Sequence, residues 1–156
     1  MIIKSLIRDG ANSLKRKKIK TAILDAEIIL SNLIHVSRED LAINDHRIVT
    51  NKVCRKFQQA IIFRSRLKPV AQIIKKKEFW SSNFFVDSNT LVPRPETELL
   101  VEAILKIYKN KRINFLDIGT GSGCILLSLL KELRNSRGTG IDINPLAVST
   151  CKINCK

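Results

Sequence analysis

Glycine is distributed very unevenly along this chain of 156 residues. Gly10 is the one glycine among residues 1–118, whereas five glycines fall between residues 119 and 140. Glycine is needed where the backbone takes a positive φ or must approach another group closely. The distribution therefore predicts two regions with different roles, a glycine-poor first part and a glycine-rich region that follows it.

The glycine-rich region begins with a loop between a predicted strand and a predicted helix. Residues 113–118 form a short apolar run that is typical of a buried strand, and an apolar helical pattern covers residues 124–134. The loop between them, called the glycine loop below, consists of Gly119, Thr120, Gly121, Ser122 and Gly123. This order favours a nucleotide-type cofactor site, because glycine lets the backbone approach a ligand and the N–H groups of the helix terminus face it.

A second strand is predicted over residues 139–143, and it carries Asp142, 19 residues after Gly123. An acidic residue at the tip of the second strand can accept hydrogen bonds from both hydroxyls of a ribose. Asn144 or Pro145 is expected to begin the next helix. The pattern therefore predicts a ligand that contains a ribose.

The spacing of the glycines distinguishes between cofactors. The dinucleotide pattern Gly-x-Gly-x-x-Gly needs its third glycine at position 124, where this chain has Cys124. With Asp117 the run instead reads Asp-x-Gly-x-Gly-x-Gly, which resembles motif I of the S-adenosylmethionine-dependent methyltransferases. A Walker-type phosphate loop is excluded, because no Gly-Lys-Ser/Thr follows. The alternative is a glycine-rich turn in an unrelated α/β unit.

The first part of the chain has the apolar periodicity of helices. The pattern of residues 1–67 predicts a small bundle of about four helices. Pro69 is expected to end this bundle, because proline lacks an N–H and disfavours helix at the preceding residue. Val70–Ile74 and Phe84–Val86 are β-rich and favour a β-hairpin. The expected N-caps of the helices are Thr21, Ser37 with Asp40, and Thr50 or Asn51. The predicted organisation is a helical domain at 1–68, a hairpin linker at 69–92 and an α/β domain at 93–156.

Three segments together resemble one family. They are Leu91–Glu102, which contains Pro93-Arg94-Pro95-Glu96-Thr97-Glu98, the run Glu78-Phe79-Trp80, and Asp25–Leu30. They resemble the HemK/PrmC family, whose members methylate the side-chain amide nitrogen of a glutamine in peptide chain release factors. The resemblance covers nearly the whole chain. It implies a helical domain that helps to hold the release factor, followed by a Rossmann-like methyltransferase domain.

The resemblance also implies roles for individual residues, with S-adenosylmethionine as the cofactor. The glycine loop would line the methionine and ribose parts, Asp142 would hold the ribose hydroxyls, and Asp117 would anchor the loop or meet the charged end of the cofactor. Arg94, Thr97 and Glu98 would shape the entrance to the site. The alternative interpretation of these three residues is an ordinary helix start, where the charges suit the helix dipole.

Two features of the family are missing. The catalytic Asn-Pro-Pro-Tyr motif is absent, and Asn144-Pro145-Leu146 does not replace it because it follows the second strand. No catalytic residue is therefore assigned. The family pattern Gly-x-Pro-x-x-Tyr/His-x-x-Gly has lost both glycines around Lys68, Pro69, Gln72 and Lys75, and we expect strain in the hairpin.

Two predicted strands are far fewer than the seven or so of a methyltransferase sheet. The chain is therefore expected to be the front portion of an incomplete domain, with helices at 98–109 and 124–134 that expose apolar surface. Alone it should bind cofactor weakly and be inactive, unless a complementary chain supplies the rest. A non-catalytic basic helical binding module and a degraded gene remnant are the alternatives.

Charge and cysteine content add few further constraints. Residues 1–78 carry 18 lysines and arginines against seven acidic residues, which suits RNA, a ribosome or an acidic protein as partner, or simply a solvated surface. With no signal peptide expected and no apolar run of membrane-spanning length, the protein is predicted to be cytoplasmic. The cysteines are then expected to be reduced, and neither they nor the histidines predict a metal site.

Overall fold

The computed structural model describes residues 1–109 and 111–156, and it is a mixed α/β structure. Two compact units make up the chain, Met1–Ile74 and Lys75–Lys156. Their boundary falls within residues 69–92, the stretch expected to link two domains. None of the helices in the described residues combines the length and apolar character needed to cross a membrane.

The first unit consists of five helices around one apolar core. They are α1 (Ile3–Arg16), α2 (Ala22–Ile34), α3 (Arg38–Ile43), α4 (Asn51–Ser65) and α5 (Val70–Ile74). Helix α1 buries Leu6 and Leu14 on one face and packs against α2 and α4. The missing side chain of Gly10 permits this contact, because a Cβ there would lie 2.7 Å from the ring of Phe57. The predicted helical bundle is confirmed.

Side-chain caps define two of the helix starts as predicted. Ser37 and Asp40 form a reciprocal capping box at α3, and the Thr50 hydroxyl accepts a hydrogen bond from the N–H of Val53 at 3.4 Å. Thr21 precedes α2, but its side chain makes no capping bond. Its hydroxyl instead donates to Asp25 Oδ2 at 2.9 Å, so this predicted cap is wrong.

A part-buried ion pair connects α2 to the end of α4. Arg64 Nε donates to Asp25 Oδ2 at 2.7 Å, and the two side chains are only 18% and 8% exposed. Arg64 Nη1 also donates to the carbonyl of Lys68 at 3.3 Å. Because Asp25 also accepts from Thr21, the pair belongs to a hydrogen-bonded network that fixes the turn after α4.

The prediction that Val70–Ile74 is extended is wrong, since these residues form the short helix α5. Pro69 lies just before it, and its carbonyl accepts from the N–H groups of Gln72 and Ile73. Val70, Ile73 and Ile74 pack against the core of the helical unit. Burial on that core outweighs the β preference of these side chains, because propensity is a weaker determinant than tertiary packing.

A β-hairpin is present, but its first strand lies later in the chain than expected, and its second strand lies earlier, ending at Phe84 instead of Val86. Strand β1 (Lys77–Phe79) pairs antiparallel with β2 (Ser82–Phe84). The two-residue turn is Trp80-Ser81, with φ values of +48° and +51°. Positive φ at both positions matches the twist of a tight hairpin, although glycine or asparagine usually occupies them.

The backbone is strained at the two positions where the family pattern has glycine and this chain has another residue. Aligned on Pro69, the family pattern places glycine at positions 67 and 75. Leu67 and Lys75 there have φ values of +66° and +56°, in the left-handed region that penalises a Cβ. The expected strain therefore lies on either side of α5, as well as in the Trp80-Ser81 turn.

The second unit continues with a strand–helix–strand arrangement. A 3₁₀ turn (Pro95–Thr97) leads into α6 (Glu98–Tyr108), followed by β3 (Asn114–Ile118), α7 (Cys124–Glu132), β4 (Arg137–Ile141) and α8 (Pro145–Asn154). Strands β3 and β4 are parallel, with Ile118 opposite Ile141. Strand β4 begins and ends two residues earlier than predicted, so Asp142 follows the strand directly. Asn144 caps α8 by accepting from the N–H of Leu146 at 3.0 Å.

One face of the β3–β4 sheet is covered by α7, and the other is open. Gly138 allows close packing of α7, since a Cβ there would meet Leu126 Cδ1 at 2.5 Å. The opposite side carries Leu116, Ile118 and Ile141, which are 62%, 75% and 46% exposed; we call it the open sheet face. Parallel strands are normally covered on both sides.

The expected apolar exposure of the helices is only partly correct. In α6, Leu99, Leu100 and Ile107 are exposed, as predicted. In α7, Leu126 and Leu129 are buried, and the helix packs on both α6 and the sheet. Of these two helices, α6 therefore carries uncovered apolar surface, whereas α7 does not.

Candidate cofactor site

The glycine loop turns tightly at the end of β3 because its three glycines all have positive φ. The values are +80° at Gly119, +56° at Gly121 and +79° at Gly123. The N–H groups of Gly119 and Thr120 both donate to the carbonyl of Ile141, at 2.8 and 3.0 Å. The loop is therefore fastened to the end of β4.

The three glycines have different surroundings. A Cβ at Gly119 would meet no atom within 4 Å, and at Gly121 it would meet only the Gly119 carbonyl at 3.9 Å. At Gly123 it would lie 2.6 Å from the Sγ of Cys151. The first two glycines thus leave backbone open to a ligand, whereas the third lets the start of α7 pack against α8.

Asp142 lies directly against the glycine loop. Its Oδ2 accepts from the N–H of Gly121 at 2.9 Å, and its Oδ1 accepts from the N–H of Asn144 at 2.9 Å. These two hydrogen bonds, that from Asn144 first, lower the pKa of Asp142 below its ordinary value. The side chain is therefore ionised at neutral pH and remains half-buried beside the loop.

Asp117 bonds the loop from the other side. Its Oδ2 accepts from the hydroxyl of Thr120 at 2.8 Å, and Thr120 is buried. Gly140, opposite Asp117 in the sheet, makes room for this threonine, because a Cβ there would lie 2.8 Å from its Oγ1. Of the two roles foreseen for Asp117, the observed contact corresponds to anchoring the loop.

Ser122 is buried, and its carbonyl accepts from the side chain of Asn154 at 2.9 Å. The same side chain bonds Phe85, accepting from its N–H at 2.7 Å and donating to its carbonyl at 2.9 Å. Sequence reasoning missed Asn154, since nothing in the pattern relates it to residues 32 and 69 positions away.

The segment after the hairpin is bonded to both ends of α8. Besides the contacts of Asn154 with Phe85, the side chain of Asn144 donates to the carbonyl of Asn89 at 3.2 Å. Asp87 accepts from the N–H of Asn89 at 2.9 Å and shapes the turn between them. Residues 85–89 therefore lie along α8 as one wall beside the glycine loop.

Glu98 is bonded to the hairpin. Its Oε1 accepts from the N–H of Trp80 at 2.9 Å, and the indole N–H of Trp80 donates to Glu132 at 3.0 Å. Arg94 is exposed, and its carbonyl accepts from the N–H of Thr97 at 3.0 Å. The contact of Glu98 explains how Glu78-Phe79-Trp80 and Pro93–Glu98 depend on each other structurally.

Two buried thiols lie behind the loop. Burial is the main cause that raises the pKa of Cys124 and of Cys151, so both are protonated at neutral pH. Cys155 is exposed one turn beyond Cys151. In the part of the chain that the structure describes, no group of three or more His, Cys, Asp or Glu side chains is arranged to hold a metal ion.

Comparison with known proteins gives consistent matches. Residues 5–74 match the family model of the PrmC N-terminal domain. The release factor glutamine methyltransferase of Leptospira interrogans is 39% identical over 97% of this chain and 54% of its own length. The proteins of the same name from Nitratidesulfovibrio vulgaris and Buchnera aphidicola subsp. Schizaphis graminum are 34% and 42% identical, over 99% and 83% of this chain and 52% and 47% of theirs.

The chain spans about half the length of the curated relatives it matches. The match to the PrmC N-terminal domain coincides with the helical unit, and the alignments with the relatives extend through the glycine loop and Asp142 in the cases that cover nearly all of the chain. Residues 5–74 therefore form a PrmC N-terminal domain, and nearly the whole chain is similar to the HemK/PrmC family of release factor glutamine methyltransferases.

Proposed function

We propose that this chain carries the S-adenosylmethionine site of a release factor glutamine methyltransferase. The observation that supports this most directly is the 2.9 Å hydrogen bond between Asp142 and the glycine loop. It brings the acidic residue and the loop, two elements expected to share one ligand, within contact of each other. The similarity of the chain to this family supports the same cofactor class.

The residues present fit this cofactor. A carboxylate has about four lone-pair positions, and Asp142 uses two of them for Gly121 and Asn144. The remaining positions suit the two hydroxyls of a ribose. Gly119 faces open space, so the methionine part can lie against its backbone without a side chain in the way. When bound, the cofactor supplies an electrophilic methyl group.

In this proposal the residues of the chain bind and orient, and they perform no acid–base chemistry. Asp142 fixes the sugar, and the glycine loop fixes the methionine part. Holding two reactants in an attacking geometry is itself a large source of rate acceleration. The residues that would orient the substrate glutamine belong to the Asn-Pro-Pro-Tyr motif of the family, which residues 1–156 do not contain.

We assign the helical unit to recognition of the release factor. It has its own apolar core, and its exposed surface is rich in lysine and arginine. Residues 1–74 carry 15 basic against six acidic side chains, which would attract an acidic protein surface. The chain passes from this recognition unit to the cofactor-binding unit between Ile74 and Lys75, just before the hairpin.

The open sheet face supports an arrangement in which further strands complete a Rossmann-like domain. Leu116, Ile118 and Ile141 present a continuous apolar strip, and each strand of the β3–β4 pair still has one free edge among the described residues. We propose that polypeptide carrying the rest of the methyltransferase domain packs here. Without it, the cofactor site lacks one side and binds weakly.

Titration of the ¹⁵N-labelled chain with S-adenosylhomocysteine, followed by NMR, tests the cofactor site. Saturable shifts confined to the amides of the glycine loop and residues 142–144 are expected. Asp142→Asn should weaken them, whereas the exposed control Asp9→Asn, in the helical unit, should leave them unchanged. Shifts elsewhere, or none at a large ligand excess, would contradict the site.

Addition of a polypeptide containing the remaining half of a close family member tests the completed domain. Cofactor affinity should then rise, and a release factor fragment should gain one methyl group at a glutamine, detected by mass spectrometry. Tight cofactor binding by the chain alone, unchanged by this polypeptide, would refute the role of the open sheet face.

A further inference from the structure

The side chain of Asn154 connects two segments that are distant in sequence. Its Oδ1 accepts from the N–H of Phe85 at 2.7 Å, and its Nδ2 donates to the carbonyls of Phe85 and Ser122, both at 2.9 Å. Both functional atoms of the amide are therefore used. A carboxamide is the side-chain group that combines an acceptor with two donors in this way.

The contact with Ser122 lies at the centre of the glycine loop. Ser122 stands between Gly121, which donates to Asp142, and Gly123, which packs on Cys151 of α8. Its carbonyl belongs to the peptide plane that joins it to Gly123. The Gly123 N–H of the same plane donates to the carbonyl of Thr120 at 2.8 Å, so Asn154 supplies the second hydrogen bond that holds this peptide.

Asn154 is the last residue of α8, and Asp142 and Asn144 precede the first turn of the same helix. The glycine loop is therefore bonded from both ends of one helix, through Gly121 at one end and Ser122 at the other. Phe85 is held by the same amide, so the wall formed by residues 85–89 and the glycine loop share one anchoring side chain.

We propose that Asn154 is a positioning residue for the cofactor, which fixes the Ser122–Gly123 peptide and thereby keeps the glycine loop in its binding conformation. This inference rests on the proposed cofactor function of the loop. Asn154 itself makes no contact that the chemistry requires. Its effect would reach the cofactor through the backbone of Ser122.

Asn154→Asp is the sharpest variant, because it keeps the shape and the acceptor for Phe85 N–H but loses both donated hydrogen bonds. Amide hydrogen exchange at Gly121 and Gly123 should become roughly tenfold to a hundredfold faster, as expected for the loss of two hydrogen bonds of ordinary strength. The cofactor-induced shifts of the loop should weaken in parallel.

Val101→Ala provides the structural control, since Val101 is fully buried in the core of the same unit. It should accelerate exchange throughout residues 75–156 without singling out the loop. If Asn154→Asp accelerates exchange only to the same extent and with the same pattern, Asn154 serves general stability and the proposal is overturned.

A measurement on the unmodified chain tests the proposal even if Asn154→Asp does not fold. The side-chain amide protons of Asn154 should exchange more slowly than those of the exposed Asn83 and Asn135. Equal rates would contradict the proposal without any substitution.

Loss of the positioning role and loss of the cofactor site give different results. If the unmodified chain binds cofactor and Asn154→Asp binds it equally well, the positioning role is refuted while the proposed function stands. If the unmodified chain shows no cofactor-induced shift, yet Asn154→Asp alone frees the glycine loop, the proposed function fails and control of the loop by Asn154 is retained.

Discussion

Asp142 and Gly121 are 21 residues apart in the chain, and the carboxylate of the first accepts the backbone N–H of the second at 2.9 Å. The same carboxylate accepts from Asn144 at the start of α8. One ionised side chain thus joins the glycine loop to the helix after β4. The conformation of the loop should therefore depend on the charge of Asp142.

Acidification is expected to release the glycine loop. Hydrogen bonds from Asn144 and Gly121 lower the pKa of Asp142 below its ordinary value of 3.8. A lowered pKa means that the stabilisation is fully present above pH 3.8 and is lost as the pH falls through the pKa of the folded state. The amide resonance of Gly121, followed during acid titration, should change with a midpoint below 3.8.

In Asp142→Asn the same resonance should lose this titration, because the group that changes charge is gone. A midpoint at or above 3.8 in the unmodified chain would show that the loop does not stabilise the carboxylate.

Alanine substitutions should separate the roles of the first and third glycines. Gly119→Ala adds a Cβ in open space, so the positive φ is the only source of strain, and it costs about 1–2 kcal/mol. Gly123→Ala suffers the same strain and also forces a Cβ to 2.6 Å from Cys151 Sγ, which adds about 1–3 kcal/mol. Urea unfolding of the whole chain, followed through the amide resonances of residues 75–156, measures both losses of stability.

Cys151→Ala in the Gly123→Ala background should recover part of the loss, whereas in the Gly119→Ala background it should recover none. Equal destabilisation by the two glycine substitutions would contradict the packing role of Gly123. Cofactor titration should show the opposite order of sensitivity, because Gly119 is the position open to a ligand.

The parts of the fold that could be predicted have signals close together in sequence. Ser37 and Asp40 lie three residues apart and form the predicted capping box. The glycine loop directly follows an apolar run, and Asp142 directly follows the next strand. Spacing along a strand–helix–strand unit was sufficient to expect Asp142 beside the loop.

What could not be predicted depends on tertiary contacts without a local signal. Val70–Ile74 looks like a strand by composition, and only burial against the helical core makes it a helix. Trp80-Ser81 forms a tight turn without glycine, which residue type does not reveal. The contact of Asn154 with Phe85 spans 69 residues, so no spacing rule suggests it.

Removal of the buried carboxylate of Asp25 should strongly destabilise the helical unit. Asp25→Ala leaves the part-buried Arg64 without its carboxylate partner, and because Arg64 keeps some contact with solvent, the loss should lie below the cost of about 3–5 kcal/mol for breaking a fully buried pair. Urea unfolding followed through the amide resonances of residues 1–74 measures the loss.

The double variant Asp25→Ala/Arg64→Met should be less destabilised than Asp25→Ala, because no uncompensated charge remains. Asp9→Ala breaks the exposed pair with Arg8 in the same unit and serves as the matched surface control, with an expected effect of within about 0.5 kcal/mol. A loss for Asp25→Ala no larger than this control would mean that the pair contributes little.

Leu67→Gly should stabilise the chain, although substitution by glycine usually does the opposite. Leu67 has a φ of +66° and is 70% exposed, so glycine relieves strain and sacrifices little burial. The relief of about 1–2 kcal/mol exceeds the entropic cost of glycine, which is about 0.5–1 kcal/mol. Gln58→Gly, at an exposed position within α4, should instead lose about 1 kcal/mol. Opposite signs for the two variants in the same urea experiment are the expected result. Destabilisation by both would show that the left-handed backbone at Leu67 carries no strain that glycine can remove.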